Sequence, residues 1–222
     1  MGGQYKRNRC SVFTPEWQTS LMRSDAQRNH EQVLAAAQEL FSARGTSVPV
    51  DEVARAAGVG VGTVHRHFPT KDDLVDAALI ATCQPIFELL DQAAATPDAA
   101  DGLEHLLLGL TEHQSRHPGL AERLRATDDL SPEVAEVKLQ IATGFRAAVA
   151  RAQDAGQVRA DVVPADLRLL FAGLAGAVTA TGEPCSTEER QRFVRILLDG
   201  LRTPDPSPLP PVAPLPPDSP TS

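Results

Sequence analysis

The sequence is poor in cysteine, and its three cysteines, Cys10, Cys83 and Cys185, stand far apart. No Cys-x-x-Cys pair is present. An odd count without a signal peptide argues for reduced thiols, so we expect a cytoplasmic protein. No apolar run approaches the roughly 18 residues that a bilayer-spanning helix requires, so no membrane contact is expected.

Positive charge is also scarce, since the formal net charge is -8. The acidity is uneven along the chain. Residues 23–72 hold six basic and six acidic side chains, whereas residues 73–222 carry a net charge of -10. A surface built from residues 23–72 would therefore neutralise few phosphates, and any non-specific affinity for nucleic acid should be modest.

Catalytic and cofactor motifs are missing. No Gly-x-Ser-x-Gly elbow, His-Glu-x-x-His or Walker sequence occurs. Gly58, Gly60 and Gly62 have the wrong spacing for a nucleotide loop and follow a helix rather than a strand. We expect neither enzymatic activity nor a cofactor.

Two pairs of histidines are candidate metal ligands. His65 and His67 lie two apart on a helix and point in different directions, so they cannot share a metal. His113 and His117 lie four apart, near Glu112, and could share one. Solvated histidines at a helix end are the expected state of this second pair, and no metal site is predicted.

The stretch 48–74 has the pattern of two short helices joined by a tight turn. Val53, Ala54 and Ala57 have helical spacing, and Gly58 stands where the first helix must end in a positive-φ residue. Val64 and Phe68 share one face of the second helix and can pack back onto the first. Thr63, His65, Arg66 and His67 should then point outward, as on a helix that enters a DNA groove.

This stretch resembles the TetR family of transcriptional regulators. The residues that carry the resemblance, between Gln27 and Leu79, are Arg28, Val33, Leu34, Ala36, Ala37, Leu40, Phe41, Gly45, Ala57, Gly58, Val59, Gly62, Thr63, Val64, His67, Phe68, Pro69 and Lys71. Two positions depart from the family pattern. His65 stands where a tyrosine is usual, and Gly60, a poorer helix cap, where a serine is common.

The resemblance implies that the protein binds double-stranded operator DNA through these helices. Thr63, His65 and Arg66 are the predicted base or phosphate contacts, and His67 and Lys71 should position the DNA backbone. Arg28 and Val50 are weaker candidates at the flanks. The implied function is a ligand-responsive regulator, a repressor in our interpretation, that binds a palindromic site as a homodimer. The alternative is a helical small-molecule-binding protein with a vestigial DNA-binding head.

The whole chain reads as all-α, with about nine helices and no strand pattern. We predict four segments: a disordered extension (1–22, with Met22 as a possible start), a three-helix helix-turn-helix domain (23–72), a helical ligand-binding and dimerisation bundle (73–202), and a disordered proline-rich tail (203–222). The first helix should begin near Gln27.

Capping signals set the later helix boundaries. Thr70 and Asp73 form a capping-box pattern at the start of one helix, and Ser186 and Glu189 form another. Ser131-Pro132 marks a further helix start. Between them, Asp98–His117, Pro118–Thr127 and Leu167–Thr181 are predicted helices.

The resemblance also implies a dimer interface and an effector pocket. The last two helices should pair with their copies in a four-helix contact. An unknown small-molecule effector should bind inside the bundle, and the candidate lining residues are Phe87, Leu90, Leu107, Leu110, Phe145 and Leu170. Plain core is the commoner role for each of these residues, and the effector that they would line is expected to be mostly apolar.

Overall fold

The computed structural model describes residues 16–125, 130–163, 166, 169–170, 173, 186–202 and 207–210. Within these ranges the fold is all-α, as predicted. Eight helices have defined bounds there: α1 Glu16–Arg44, α2 Val50–Ala56, α3 Val61–His67, α4 Lys71–Ala95, α5 Ala99–Arg116, α6 Pro118–Arg125, α7 Pro132–Asp154 and α8 Thr187–Leu201. The predicted helix Leu167–Thr181 falls almost wholly outside the described residues.

The first helix is longer than its sequence pattern suggested. It begins at Glu16, well before Gln27, so residues 16–22 of the predicted disordered extension are helical. The amphipathic stripe that predicted this helix starts only at Val33, where α1 meets the core. Residues before the stripe carry no periodic signal, which is why the start was misplaced.

Helix ends follow the capping signals. Thr70 Oγ1 accepts from the Asp73 amide at 3.1 Å, and the Asp73 carboxylate accepts from the Thr70 amide at 2.8 Å. The same reciprocal pair joins Ser186 to Glu189 before α8, and Ser131 caps α7. These three starts are confirmed.

Two parts, the head (α1 to α3) and the body (α4 to α8), share one continuous core. In the head, Val33, Ala37 and Phe41 of α1 are buried with Val53 of α2 and Val64 of α3. In the body, α4 packs against α5 and α7, and α8 packs against α5. α1 contacts both α4 and α6, so the first helix joins the two parts.

Within the described ranges, no helix combines the length and apolarity needed to cross a bilayer.

Part of the predicted disordered tail is placed against the body. Residues 207–210 form neither a helix nor a strand, and Ser207 and Leu209 form hydrogen bonds with side chains of the loop after α7. This part of the predicted disordered tail therefore makes defined contacts with the body. The rest of the tail lies outside the described residues.

Candidate nucleic-acid interface

The turn between α2 and α3 is built around one glycine. α2 ends at Ala56, and Gly58 has φ +68°, a conformation that costs other residues strain. The Val59 amide then donates to the Ala54 carbonyl at 3.0 Å, which closes the turn. The sequence prediction for this turn is confirmed.

The short helix α3 is held to the head by one of its faces. Val64 is fully buried, and Phe68, which follows the helix, is nearly so. Gly60 precedes α3 without a side-chain cap. Because burial of Val64 and Phe68 fixes the rotation of this helix, its remaining side chains have a defined direction.

Two side chains stand out from the opposite face of α3. His65 and Arg66 are exposed, and Thr63 is half-buried. Arg66 forms no salt bridge with any described residue, so its guanidinium keeps all five donors for a partner. The His65 Nδ1 atom lies 3.4 Å from the Pro69 carbonyl oxygen, a long contact that leaves the ring accessible.

His67 is less outward than its position in the sequence suggested. Its ring centroid lies 5.5 Å from that of His30 on α1, in an edge-on arrangement. His30 in turn stacks on Phe68 at 4.9 Å. His67 is thus half-buried between the end of α3 and α1. Its ring packs against His30, and part of its surface remains exposed.

The start of α4 lies next in the chain and carries Lys71. Lys71 is the first residue of α4, directly after the Thr70 cap, and is half-buried. It forms no salt bridge with the described residues. A cation at this place stands next to the amide groups of a helix N-terminus, which favour an anion.

The two flanking candidates differ in character. Arg28 is exposed on α1 and pairs with Asp25 at 3.2 Å, an exposed contact of little energetic weight. Val50 begins α2, but its side chain packs against the core. The half-buried Val50 side chain therefore serves mainly to attach α2 to the core.

Sequence reasoning missed two contacts that hold the head together. His30 was not singled out, although it packs against both His67 and Phe68. The Arg44 guanidinium forms a paired contact with the Glu52 carboxylate, which joins the end of α1 to the start of α2. The hydrogen bond from Arg44 lowers the pKa of the Glu52 carboxyl. A charge pair eight residues apart across a glycine turn has no periodic signature, so only the folded chain shows it.

Hydrogen bonds join the head to the body where α1 meets α4 and His117, the residue that follows α5. Gln38 of α1 donates to Thr82 Oγ1 of α4 at 3.1 Å. His113 of α5 lies 2.7 Å from the Thr82 carbonyl oxygen, so its Nε2 atom must carry the proton. The His117 Nδ1 atom lies 2.8 Å from Ser42 Oγ of α1. We call these five residues the junction.

The junction corrects the expectation of two solvated histidines. Burial lowers the pKa of both His113 and His117, and the nearby Arg116 guanidinium lowers each further. Glu112 pairs with Arg116 at 2.6 Å instead of joining the histidines. Among the described residues, no group of three or more His, Cys, Asp or Glu side chains is placed to hold a metal.

The predicted pocket residues belong to the hydrophobic core or pack against it. Leu107, Leu110 and Phe145 are buried, and Phe87, Leu90 and Leu170 are half-buried against that core. A groove of about 530 Å³ opens elsewhere, between α5 and α8, and is lined by Glu104, Leu108, Glu188, Gln191, Arg192, Arg195 and Ile196. None of the six predicted residues lines it.

A glycine turn between two short helices, with a protruding basic face on the second, defines a helix-turn-helix protein with a helical body. Residues 33–78 match the family model described as bacterial regulatory proteins, tetR family. Residues 98–203 match that described as the C-terminal domain of SbtR-like transcriptional regulators. The chain belongs to the TetR family of transcriptional regulators.

Solved structures agree with this assignment. A TetR transcription regulatory protein from Mycobacterium vanbaalenii is 33% identical, with a TM-score of 0.53 over 82% of this chain and 99% of that one. A TetR transcriptional regulator from Streptomyces coelicolor is 28% identical, with a TM-score of 0.57 over 78% of this chain and 98% of that one.

The similarity to curated relatives is restricted to a short part of the chain. A helix-turn-helix transcriptional regulator from Staphylococcus aureus is 37% identical over 54 residues. This match spans 24% of the present chain and 29% of the relative.

Proposed function

We propose that the protein is a homodimeric, ligand-responsive repressor that binds a palindromic operator through α3. The exposed pair His65 and Arg66, on a helix whose other face is fixed by Val64 and Phe68, carries the proposal. Arg66 can donate two hydrogen bonds to the O6 and N7 atoms of a guanine in the major groove. Lys71 and His67 contact phosphates beside it.

Two copies are needed because one subunit presents one recognition helix. A two-fold dimer places its two helices about one DNA turn, roughly 34 Å, apart. The proposed interface uses α8 and the preceding segment. Ile196 of α8 is 69% exposed and Leu169 is also exposed, so both apolar side chains are available to a second copy that would remove them from water.

The regulatory step is a shift between two arrangements of the body. An apolar effector bound in the bundle near Phe87, Leu90, Leu107, Leu110, Phe145 and Leu170 favours an arrangement in which the recognition helices no longer match two successive grooves. The junction supports this mechanism, because α1 is hydrogen-bonded to α4 and lies within hydrogen-bonding distance of the end of α5.

A contrasting function is favoured by the charge balance of the segment 23–72. Residues 23–72 carry no net charge, which fits a small-molecule-binding protein whose head no longer binds DNA. The two functions are separated by a gel shift with the DNA upstream of the protein's own gene. If unlabelled operator competes for the retarded band and unlabelled random DNA does not, the result supports the DNA-binding regulator.

The contacts of α3 and α4 are tested by fluorescence anisotropy on operator and random duplexes at several salt concentrations. Arg66→Ala should cost roughly 1–3 kcal/mol on the operator and little on random DNA, because it removes a base contact. Lys71→Ala should weaken both and reduce the salt slope by about one. Equal losses for Arg66→Ala on both duplexes, or an unchanged slope for Lys71→Ala, would contradict these roles.

A further inference from the structure

The tail segment Ser207–Pro210 lies on two charged side chains of the loop that follows α7. The Arg159 Nη2 atom donates to the Ser207 carbonyl oxygen at 2.6 Å. The Leu209 amide donates to the Asp161 Oδ2 atom at 3.3 Å. We call Arg159 and Asp161 the strap site, and Ser207–Pro210 the strap.

The strap site is itself firmly built. Arg159 and Asp161 form a two-pronged ion pair, with N to O distances of 2.6 and 2.8 Å, and the Arg159 side chain is only 12% exposed. The Arg159 amide donates to the Leu201 carbonyl at the end of α8, at 2.8 Å. Gln153 of α7 donates to the Arg159 and Val162 carbonyls and so holds the loop in place.

The two hydrogen bonds use the scarcest group of a proline-rich main chain, an amide donor, together with one carbonyl acceptor. Proline has no N–H group and fixes φ near -65°, so such segments are extended, with their carbonyls outward. Between Pro208 and Pro211 the only amide donor is that of Leu209. Asp161 accepts from this donor, and Arg159 binds the carbonyl two residues earlier.

The same pattern occurs once more in the tail. Pro208-Leu209-Pro210-Pro211 is repeated as Pro214-Leu215-Pro216-Pro217. In the second copy, Ala213 supplies the carbonyl and Leu215 the only amide of its Pro-Leu-Pro-Pro run. Because the strap site contacts main-chain atoms, the different side chains of Ser207 and Ala213 do not alter the groups that it binds.

We propose that Arg159 and Asp161 form a binding site for the main chain of an x-Pro-Leu-Pro segment, filled by the strap of the same chain. Ala213–Pro216 is a second register that takes the site when the first is blocked. The hydrogen bond from Arg159 holds the pKa of the Asp161 carboxyl down at about 2, so the acceptor stays ionised at neutral pH. The bound strap ties the tail to the loop that also holds the end of α8.

The test is amide exchange in the full chain labelled with ¹⁵N-leucine, each rate being divided by that of a free peptide of the same sequence. The Leu209 amide should exchange roughly tenfold more slowly than in the peptide, because its acceptor is charged. Asp161→Ala should abolish this protection. Leu209→Pro removes the donor but no atom of the body, and protection should then pass to Leu215.

Leu215→Pro is the matched control and should leave Leu209 protected. Exchange of Leu209 at the peptide rate in the unmodified chain would overturn the proposal. Absence of protection at Leu215 in the Leu209→Pro chain would overturn the second register. Protection that disappears on dilution would show that the strap comes from another copy, contrary to the contact within one chain.

Discussion

Gly119 is a residue at which the body comes very close to the head. A Cβ atom added there would lie 2.9 Å from both the Cα and N atoms of Gly45, and closer still to the Phe41 carbonyl oxygen. These are main-chain atoms at the end of α1, so no side chain can move aside. α6 therefore contacts α1 directly, backbone against backbone.

Gly119→Ala should lower the free energy of unfolding by about 1–3 kcal/mol, because the methyl group forces the two helices apart. The matched control is Gly62→Ala on α3, where no atom lies within 4 Å of the added Cβ. Alanine is the better helix former there, so this change should raise the stability by about 0.5–1 kcal/mol. Urea unfolding of both variants measures the effects, and a neutral Gly119→Ala would show that the contact is loose.

The two junction histidines predict a pH dependence of stability. Burial lowers the pKa of His113 and His117 in the folded chain. The unfolded chain therefore binds more protons as the pH falls below about 6.5, and the free energy of unfolding decreases in that range. Above it, the two side chains are neutral in both states and contribute no slope.

Thermal unfolding between pH 5 and 8 measures this dependence. The double change His113→Gln with His117→Gln should flatten the fall in melting temperature on the acid side, even though it weakens the junction. The exposed His65→Gln serves as the control and should keep the slope of the unmodified chain. A double variant with the original slope would place the titrating groups elsewhere.

At the scale of the elements, the capping box at Thr70 determines where α4 begins. Thr70→Ala removes the acceptor for the Asp73 amide and should cost about 1 kcal/mol of stability. It should also weaken DNA binding, because Lys71 is the next residue. Ser47→Ala, an exposed hydroxyl without a partner among the described residues, is the control for urea unfolding and anisotropy. If Thr70→Ala is destabilised but keeps its full affinity for DNA, the cap does not determine the position of Lys71.

Element boundaries were predictable wherever local chemistry sets them. Thr70 and Ser186 are recognisable from their own side chains and the carboxylates three residues on, and Ser131 from its own side chain and the following proline; each caps a helix. The start of α1 was not predictable, since residues 16–26 show no apolar stripe. The docking of the strap was also missed, because it depends on Arg159 and Asp161, some fifty residues away in the sequence.

The direction of the site residues was predictable only in part. Val64 and Phe68, four residues apart, correctly indicated the buried face of α3, and with it the exposure of His65 and Arg66. The burial of His67 beside His30 depends on how α1 crosses α3, which no local pattern encodes. The junction partners of His113 and His117 come from other helices and were likewise out of reach.

At the scale of the whole molecule, the proposed dimer makes Ile196 a test residue. Ile196→Glu should shift the protein toward monomer at micromolar concentration, because it places a charge in an apolar interface. Leu139→Glu on α7, where the native side chain is 51% exposed, is the control, since it lies outside the proposed interface. Sedimentation equilibrium measures both, and an equally tight dimer for Ile196→Glu would exclude this part of α8.

The contact between main chains at Gly119 determines how a movement of the body reaches the head. Flexible side chains between two helices can absorb a small displacement by changing rotamer, whereas touching main chains cannot. A movement of α6 by even an ångström must then displace the end of α1 by a similar amount. Under the proposed function, any movement of the body would therefore change the distance between the two recognition helices of the dimer directly.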